Sequence, residues 1–225
     1  MNKISKRLEL IASFIPDNSK VIDIGCDHGL LDIYLYQNKN NISIIASDIN
    51  DQALNNAKKN ISDNRLNEHI DLRLGNGLDV VEANEIDTII MSGLGSYTIV
   101  GILKKNINKL NNVDNIVIQS NTKLYFLRKE ITKLKYYISD EEMIYDKGIY
   151  YTIIKFKKGK KKYNRKELYF GPILLKNKGK VFEEYNKREL ERLSLVLKML
   201  PKNKIIDRIK TKYMISLYNQ SSTKC

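Results

Sequence analysis

The sequence is poor in cysteine, in histidine and in long apolar runs. It has two cysteines, Cys26 and Cys225, and two histidines, His28 and His69. Two cysteines cannot form a disulfide framework, which suits a reducing compartment. No cluster of His, Cys and carboxylate residues has metal-ligand spacing, so no metal site is expected. No run of about 18 apolar residues occurs, which excludes a membrane-spanning helix.

The first fifteen residues are amphipathic. The charged residues Lys6, Arg7 and Glu9 interrupt any apolar run, so this segment does not resemble a secretory signal. Across all 225 residues, 42% are hydrophobic, which is enough for a core. We therefore expect a soluble cytoplasmic protein, without membrane attachment or an obligate protein partner, built as one domain of roughly 150 residues plus an appendage.

Charge is distributed unevenly along the chain. Residues 1–155 carry 19 Lys+Arg and 20 Asp+Glu, whereas residues 156–225 carry 20 and 6, a net charge of +14. A basic block of this kind predicts binding to a polyanion. Compositional drift would raise lysine equally in both parts, so we favour nucleic acid over a solvated face. An anionic membrane is less favoured, because no strongly apolar helix face accompanies the lysines.

Short apolar runs alternate with helical stretches over the first two thirds of the chain. Strands are predicted at 20–25, 43–48, 70–74, 86–92 and 114–119, and helices near 30–38, 51–60, 96–109 and 122–134. Nearly continuous Val/Ile runs are typical of strands buried on both faces of a parallel sheet, so the pattern predicts a doubly wound α/β sheet. Two further β-rich runs, 136–144 and 149–156, predict an antiparallel hairpin at one edge.

The character of the chain changes after Phe156, where a lysine run covers 157–162. We place a domain boundary there, which gives a domain at 1–156 and a basic helical domain at 157–225. Leucines at 190, 193, 197 and 200 follow 3-4-3 spacing, and a less regular apolar series follows Pro201. This predicts a helical hairpin or short coiled coil. Ordinary helices packed on the first domain are an equally open alternative.

The turn after the first strand carries the clearest chemical signal. A dinucleotide fold places G-x-G-x-x-G here, but this chain has Gly25-Cys-Asp-His-Gly29, which disfavours an NAD-dependent dehydrogenase. Asp23 and Asp27 would repel a pyrophosphate but suit the ammonium of an amino-acid tail beside a sulfonium. Asp48 ends the second strand, from where a carboxylate can bind both hydroxyls of a ribose. Asn76 can lie near an adenine edge.

Together these features predict an S-adenosylmethionine site. The predicted cofactor-binding residues are Asp23, Gly25, Asp27, His28, Gly29, Asp48, Ile49, Asn76 and Gly77. The alternative is that Asp23 and Asp48 merely cap helices. A lone histidine in a turn, such as His28, is more often structural than catalytic.

A set of motifs spans nearly the whole chain. The segments are Ser5-Lys-Arg-Leu8, Asp23-Ile-Gly-Cys-Asp-His-Gly29, Gly75-Asn-Gly-Leu78, Ser92-Gly-Leu-Gly95, Gln119-Ser-Asn121 and Phe170-Gly-Pro-Ile-Leu174. In this order and spacing the chain resembles the bacterial tRNA (adenine-N1)-methyltransferases that modify position 22 in the D-arm, the TrmK family. The family usually has Gly-Met-Gly-Gly at residues 93–96, Gln-Pro-Asn at 119–121 and Asp at residue 76.

The resemblance implies a Rossmann-like class I methyltransferase domain followed by a helical, coiled-coil-like domain. It also implies S-adenosylmethionine as the methyl donor and N1 of adenine 22 in tRNA as the acceptor. Two rival functions stay open. One is methylation of another RNA nitrogen, and the other is a non-catalytic RNA-binding protein that retains a cofactor pocket.

The segment after the fourth strand suits attack by a ring nitrogen. Enzymes that methylate exocyclic amines place an Asp/Asn-Pro-Pro-aromatic turn there, whereas this chain has Met91-Ser-Gly-Leu-Gly95. Neither cysteine is placed to be a nucleophile. Adenine N1 is unprotonated at neutral pH, so positioning would supply most of the acceleration. The residues predicted to position the base are Ser92, Gly93, Gln119 and Asn121.

Adenine N1 lies on the Watson–Crick edge, so the base must leave its stack before it reacts. The RNA must then be held through its backbone. The residues predicted to bind RNA are Lys6, Arg7, Lys157, Lys158, Lys160, Lys161 and Lys162. Tyrosines at 163, 169, 185, 213 and 218 are possible stacking groups, although each is more readily explained as packing.

Overall fold

Within residues 4–222, which a computed structural model describes, the chain forms seven strands, nine α-helices and two short 3-10 helices, Gly77–Val80 and Ile107–Asn112. The strands are β1 (Lys20–Ile24), β2 (Ser43–Asp48), β3 (Ile70–Leu74), β4 (Thr88–Ser92), β5 (Asn115–Gln119), β6 (Tyr136–Asp146) and β7 (Ile149–Lys158). The helices are α1 (Lys6–Ser13), α2 (Leu30–Asn38), α3 (Asp51–Asp63), α4 (Ser96–Lys105), α5 (Leu124–Lys133), α6 (Arg165–Phe170), α7 (Pro172–Asn177), α8 (Lys180–Met199) and α9 (Ile205–Ser222). Cys225 lies outside the described residues.

All seven strands join one mixed sheet in the order β3-β2-β1-β4-β5-β7-β6. Strands β1 to β5 are parallel, while β7 runs antiparallel to both β5 and β6. The predicted Rossmann-like α/β sheet and its edge hairpin are therefore confirmed. Because β1, β2, β3 and β4 are parallel, their carboxyl ends meet at one edge, where α/β sheets bind ligands.

Helices cover both faces of the sheet, which explains the continuous apolar strands. Ile89 and Ile90 are adjacent in β4, are both fully buried, and pack into opposite layers. The Ile89 layer includes α4 and α5, and the Ile90 layer includes α1, α2 and α3. None of the helices in the described part of the chain is both long and apolar enough to span a membrane.

Strand β7 extends beyond the predicted boundary at Phe156. Lys157 pairs with Asn115, and Lys158 pairs with Tyr136, so both lysines belong to the sheet rather than to a linker. Asn115 is the first residue of β5. The lysine run therefore begins at the edge of the sheet opposite the carboxyl ends of the parallel strands.

Helices α8 and α9 pack against each other as a hairpin across residues 200–204. A small third core joins this hairpin to β6; it contains Met143, Phe170, Leu174, Phe182, Leu193, Leu217 and Tyr218. At the far end of the hairpin, Met199 is 83% exposed and Ile206 is 68% exposed. The hairpin thus packs on the sheet at its base and projects at its tip.

A buried ion pair joins the C-terminal helices to the sheet. Arg128 Nε on α5 donates to Glu141 Oε1 on β6 at 2.6 Å, and both side chains are almost completely buried. Arg128 Nη1 donates to the carbonyls of residues 168 and 169 at the end of α6, while Glu141 Oε2 accepts the Ile173 N–H of α7. Between the two helices, Gly171 has φ +97°, and a Cβ there would collide with the Glu141 carboxylate. This contact explains the glycine of the Phe170-Gly-Pro motif.

Candidate active site

A cavity of about 600 Å³ lies at the carboxyl ends of β1, β2, β3 and β4. The predicted site residues that line it are Asp23, Gly25, Asp27, His28, Asp48, Ile49, Asn76, Gly77, Ser92 and Gly93. Residues predicted from four separate segments therefore converge on one cavity. Arg7, which was predicted to bind RNA, also lines it.

A second, larger cavity of about 730 Å³ lies elsewhere on the sheet. Its lining includes Lys20, Ser43 and Ile70, which are the first residues of β1, β2 and β3. No residue predicted for the cofactor or the transfer reaction lines this cavity. Size alone does not identify the site, because ligands of α/β sheets bind at the opposite, carboxyl ends of the strands.

Asp23 is the buried acid of the site. Asp23 is only 3% exposed, and its Oδ1 has no hydrogen-bond partner. Burial and, to a smaller extent, the charge of Asp48 raise the pKa of Asp23 to about 7, and the charge of Arg7 opposes this shift. A buried carboxylate oxygen without a partner is costly unless a donor or a cation reaches it. An ammonium group would supply both.

Asp48 is oriented by backbone donors at the end of β2. Its Oδ2 accepts the Asp27 N–H at 3.3 Å, and its Oδ1 accepts the Asn50 N–H at 2.8 Å. Ile49, which follows, is 71% exposed and presents an apolar surface to the cavity. A fixed carboxylate beside an apolar surface suits a ribose and the base attached to it.

The glycines of the first turn have different roles. Gly25 has φ +80°, and a Cβ there would lie 3.5 Å from Leu94 across the cavity. Gly29 does not line the cavity, and its role in cofactor binding stays a prediction. It caps α2 with φ +67° and lies against Ala57 of α3, where an added Cβ would come within 3.3 Å.

A hydrogen-bond network centred on Gln119 closes the other end of the cavity. Gln119 Oε1 accepts from Arg7 Nη1 at 2.9 Å, from the Gly93 N–H at 3.2 Å and from Ser92 Oγ at 3.3 Å. Gln119 Nε2 donates to Asn121 Oδ1 at 3.1 Å. The four predicted base-positioning residues are therefore linked. Ser92 and Gly93 line the cavity, whereas Gln119, which is almost completely buried, and Asn121 do not.

A family model, tRNA (adenine(22)-N(1))-methyltransferase (TrmK), matches residues 21–219. The chain belongs to the TrmK family. The tRNA (adenine(22)-N(1))-methyltransferase of Bacillus subtilis is 31% identical over 199 residues, which cover 84% of this chain and 82% of the relative. The predicted family and enzyme class are thereby confirmed.

Solved structures agree with this assignment. A Streptococcus pneumoniae protein in complex with S-adenosyl-L-methionine is 30% identical with a TM-score of 0.90, covering 98% of this chain and 100% of its own. TrmK from M. capricolum in complex with S-adenosyl-homocysteine is 33% identical with a TM-score of 0.86, covering 96% of each chain. These two ligands are the predicted cofactor and its product.

Arg7 lies inside the site of this TrmK family member, a position that the sequence analysis did not predict. Ser5 caps α1 by accepting the Leu8 N–H, which starts the helix so that Arg7 faces the sheet. The Arg7 guanidinium lies 5.3 Å from the ring centroid of Tyr151 and bonds to Gln119. It therefore lines the cavity and is held by side-chain contacts, and its predicted contact with RNA stays a prediction. The Ser5-Lys-Arg-Leu8 motif was the available signal.

Asp32 is a second acid that sequence analysis missed. It lies in the first turn of α2, is fully buried, and neither carboxylate oxygen has a partner. Burial raises the pKa of Asp32 well above its ordinary value, and the charge of Asp23 adds to this shift. Burial also raises the pKa of the neighbouring Cys26 thiol. The Asp32 carboxyl and the Cys26 thiol therefore both favour their protonated forms.

The predicted RNA-binding lysines do not surround the cavity. Lys158 donates to the carbonyls of Leu110 and Asn111 at the opposite edge of the sheet. Lys160, Lys161 and Lys162 are exposed after β7, and Lys6 is exposed on α1. Their contact with RNA stays a prediction. Among residues 4–222, no group of three or more His, Cys, Asp or Glu side chains could hold a metal ion.

Proposed function

We propose that this chain transfers a methyl group from S-adenosylmethionine to N1 of adenine 22 in tRNA. The family match over residues 21–219 carries the proposal, because it includes the cofactor turn, both strand-end acids and the Gln119 segment. The tRNA substrate places the enzyme in the cytoplasm. S-adenosylmethionine supplies an electrophilic methyl group on a sulfonium. The side chains around the cavity would bind the cofactor and position the target base.

Asp23 and Asp48 fit this cofactor. Asp23 would hold the ammonium of the amino-acid tail, which satisfies its unpartnered Oδ1. Asp48, whose oxygens are already aligned by two backbone N–H groups, would accept the two ribose hydroxyls. Asn76 and Ile49 line the same cavity and would contact the adenine of the cofactor.

Asn121 would orient the target adenine. Its Oδ1 accepts from Gln119, which fixes the amide, and a carbonyl oxygen has a second lone pair. An asparagine amide can therefore accept from N6 and donate to N7 of adenine, the bidentate pattern it forms with this base. Both contacts leave N1 free. No general base is needed at N1, and the network through Gln119 and Arg7 supplies rigidity, so positioning carries the catalysis.

The C-terminal helices would hold the RNA backbone. Near the hairpin tip, residues 198–212 contain six Lys or Arg residues and one Asp. A projecting, basic hairpin suits the phosphates of a tRNA, and we assign it as a coiled-coil-like arm of the RNA-binding domain together with the exposed lysines 160–162. Its binding should weaken steeply with salt, because each phosphate contact releases counterions.

The test uses two tRNA transcripts that differ only at position 22, one with adenine and one with guanine. The full chain is incubated with each transcript and labelled S-adenosylmethionine, and the modified nucleoside is identified and mapped by mass spectrometry. The proposal expects 1-methyladenosine at position 22 of the first transcript and no label in the second. Equal labelling of both transcripts, or methylation of another nitrogen, would overturn it, and an absence of transfer would leave a non-catalytic binding protein.

A further inference from the structure

A separate cavity of about 420 Å³ lies between the sheet and the C-terminal helices. Seven aromatic residues line it: Tyr125, Phe126, Tyr169, Phe170, Phe182, Tyr185 and Tyr218. Asn121 lines it as well and accepts a hydrogen bond from Gln119, so this cavity adjoins the Gln119 network. An aromatic lining is the surface on which an unstacked base binds without regard to sequence.

Two buried polar groups in the lining lack partners. Arg128 is 1% exposed and its Nη2 has no hydrogen-bond partner; Asn186 is 3% exposed and its Oδ1 has none. One is a donor and the other an acceptor. Buried groups of this kind are costly when unpaired, which indicates a ligand that offers both an acceptor and a donor.

The charge of the cavity argues for a neutral ligand. Arg128 is already paired with Glu141 at 2.6 Å, so its charge is compensated by a neighbour just outside the lining. Lys123, the other charged residue of the lining, is exposed to solvent. A phosphate in this cavity would contact aromatic rings and a guanidinium whose charge is already neutralised, so an anion is not favoured there. A nucleobase offers a π face for the rings and an edge with adjacent acceptors and donors for Arg128 and Asn186.

The occupant is not the adenine that reacts. Arg7, Ser92 and Gly93 line the cofactor cavity, where the methyl group would be transferred, and none of them lines this cavity. Asn121 is the one predicted base-positioning residue in this lining, so it would contact the reacting adenine from the boundary between the two sites. We propose that the cavity binds the nucleobase next to the target adenine, extruded from the tRNA stack together with it. This inference rests on the proposed function, and it adds a second base-binding site built by α5, α6, α8 and α9.

The test combines Asn186→Leu with abasic tRNA. The full chain and the variant are titrated with an intact transcript, with transcripts that are abasic at position 21 or 23, and with one that is abasic in the anticodon loop. For the wild type, we expect one flanking abasic transcript to bind about tenfold more weakly, as the loss of one buried hydrogen-bonded contact implies. Asn186→Leu should bind the intact transcript about tenfold more weakly and lose little more with that abasic transcript.

Asn108→Leu, an exposed asparagine distant from the cavity, is the matched control and should bind like the wild type. If Asn186 only fills space, its leucine variant will melt at the same or a higher temperature and bind tRNA normally, which overturns the proposal. If the losses of affinity caused by Asn186→Leu and by the abasic site multiply, the two act independently, and the proposal is overturned as well. The wild-type arm needs no variant: if neither flanking abasic transcript binds more weakly, the inference is wrong. Methylation of the intact transcript by the wild type reports separately on the proposed function.

Discussion

Replacing Glu141 with leucine should destabilise the fold far more than removing an exposed carboxylate. Leucine keeps much of the volume but leaves the guanidinium of Arg128 buried without its partner, and it also removes the acceptor for the Ile173 N–H. Breaking one half of a buried ion pair costs about 3–5 kcal/mol. In a chain of this size that corresponds to a fall in Tm of about 6–20 °C.

Glu189→Leu is the matched control, because Glu189 pairs with Arg192 at 2.8 Å on α8 in a partly exposed ion pair, with the side chain of Glu189 20% and that of Arg192 58% exposed. Such surface pairs contribute about 0–1 kcal/mol, so its Tm should change by a few degrees at most. Differential scanning calorimetry on both variants makes the comparison. Adding Arg128→Met to Glu141→Leu should recover part of the lost stability, since the uncompensated charge is gone. If the Tm of Glu141→Leu equals that of the Glu189→Leu control, this account of the buried Arg128–Glu141 ion pair is wrong.

Three further predictions concern the cofactor cavity and its network. Asp48→Ala should bind S-adenosylmethionine about tenfold to a hundredfold more weakly by calorimetry, since two hydroxyls lose a charged partner; Asp51→Ala, exposed on α3, should bind normally. Because burial raises the pKa of Asp23 to about 7 and an ammonium favours its ionised form, cofactor affinity should fall by up to about tenfold from pH 7 to pH 6. Binding at low pH should release a proton, which calorimetry in buffers of different ionisation enthalpy detects, and Asp23→Asn should abolish the release. Arg7→Met should lower kcat by freeing the Gln119 amide while leaving the salt dependence of tRNA binding unchanged; a salt slope reduced by one contact would instead make Arg7 a phosphate ligand.

The strands could be predicted because their signal is local. The bounds of β2 and β3 agree with the predicted ranges, and the others agree within two residues, because each buried strand is a continuous apolar run between polar turns. The strand-end acids Asp23 and Asp48 followed from the same pattern, since the carboxyl ends of parallel strands share one edge.

The remaining features depend on contacts between distant residues. Arg7 reaches the site by bonding to Gln119, which is 112 residues away, and nothing near Arg7 in the sequence records that partner. The lysines at 157 and 158 look like a linker, yet strand pairing with β5 and β6 extends β7 through them. Gly29 belongs to a predicted ligand-binding turn, and its close packing against Ala57 of α3 could not be read from the sequence.

The docking of α1 has a consequence for when the enzyme becomes active during its synthesis. Arg7 leaves the ribosome well before its two partners, Gln119 on β5 and Tyr151 on β7. At roughly 5–20 residues per second, the wait for Tyr151 is roughly 7–30 s. A nascent chain that has completed β1, β2, β3 and β4 already holds all the strands whose ends line the cavity but lacks the Gln119 network. Such a chain could capture the cofactor before it can use it, so methyl transfer would begin only once the edge hairpin has folded and α1 has docked.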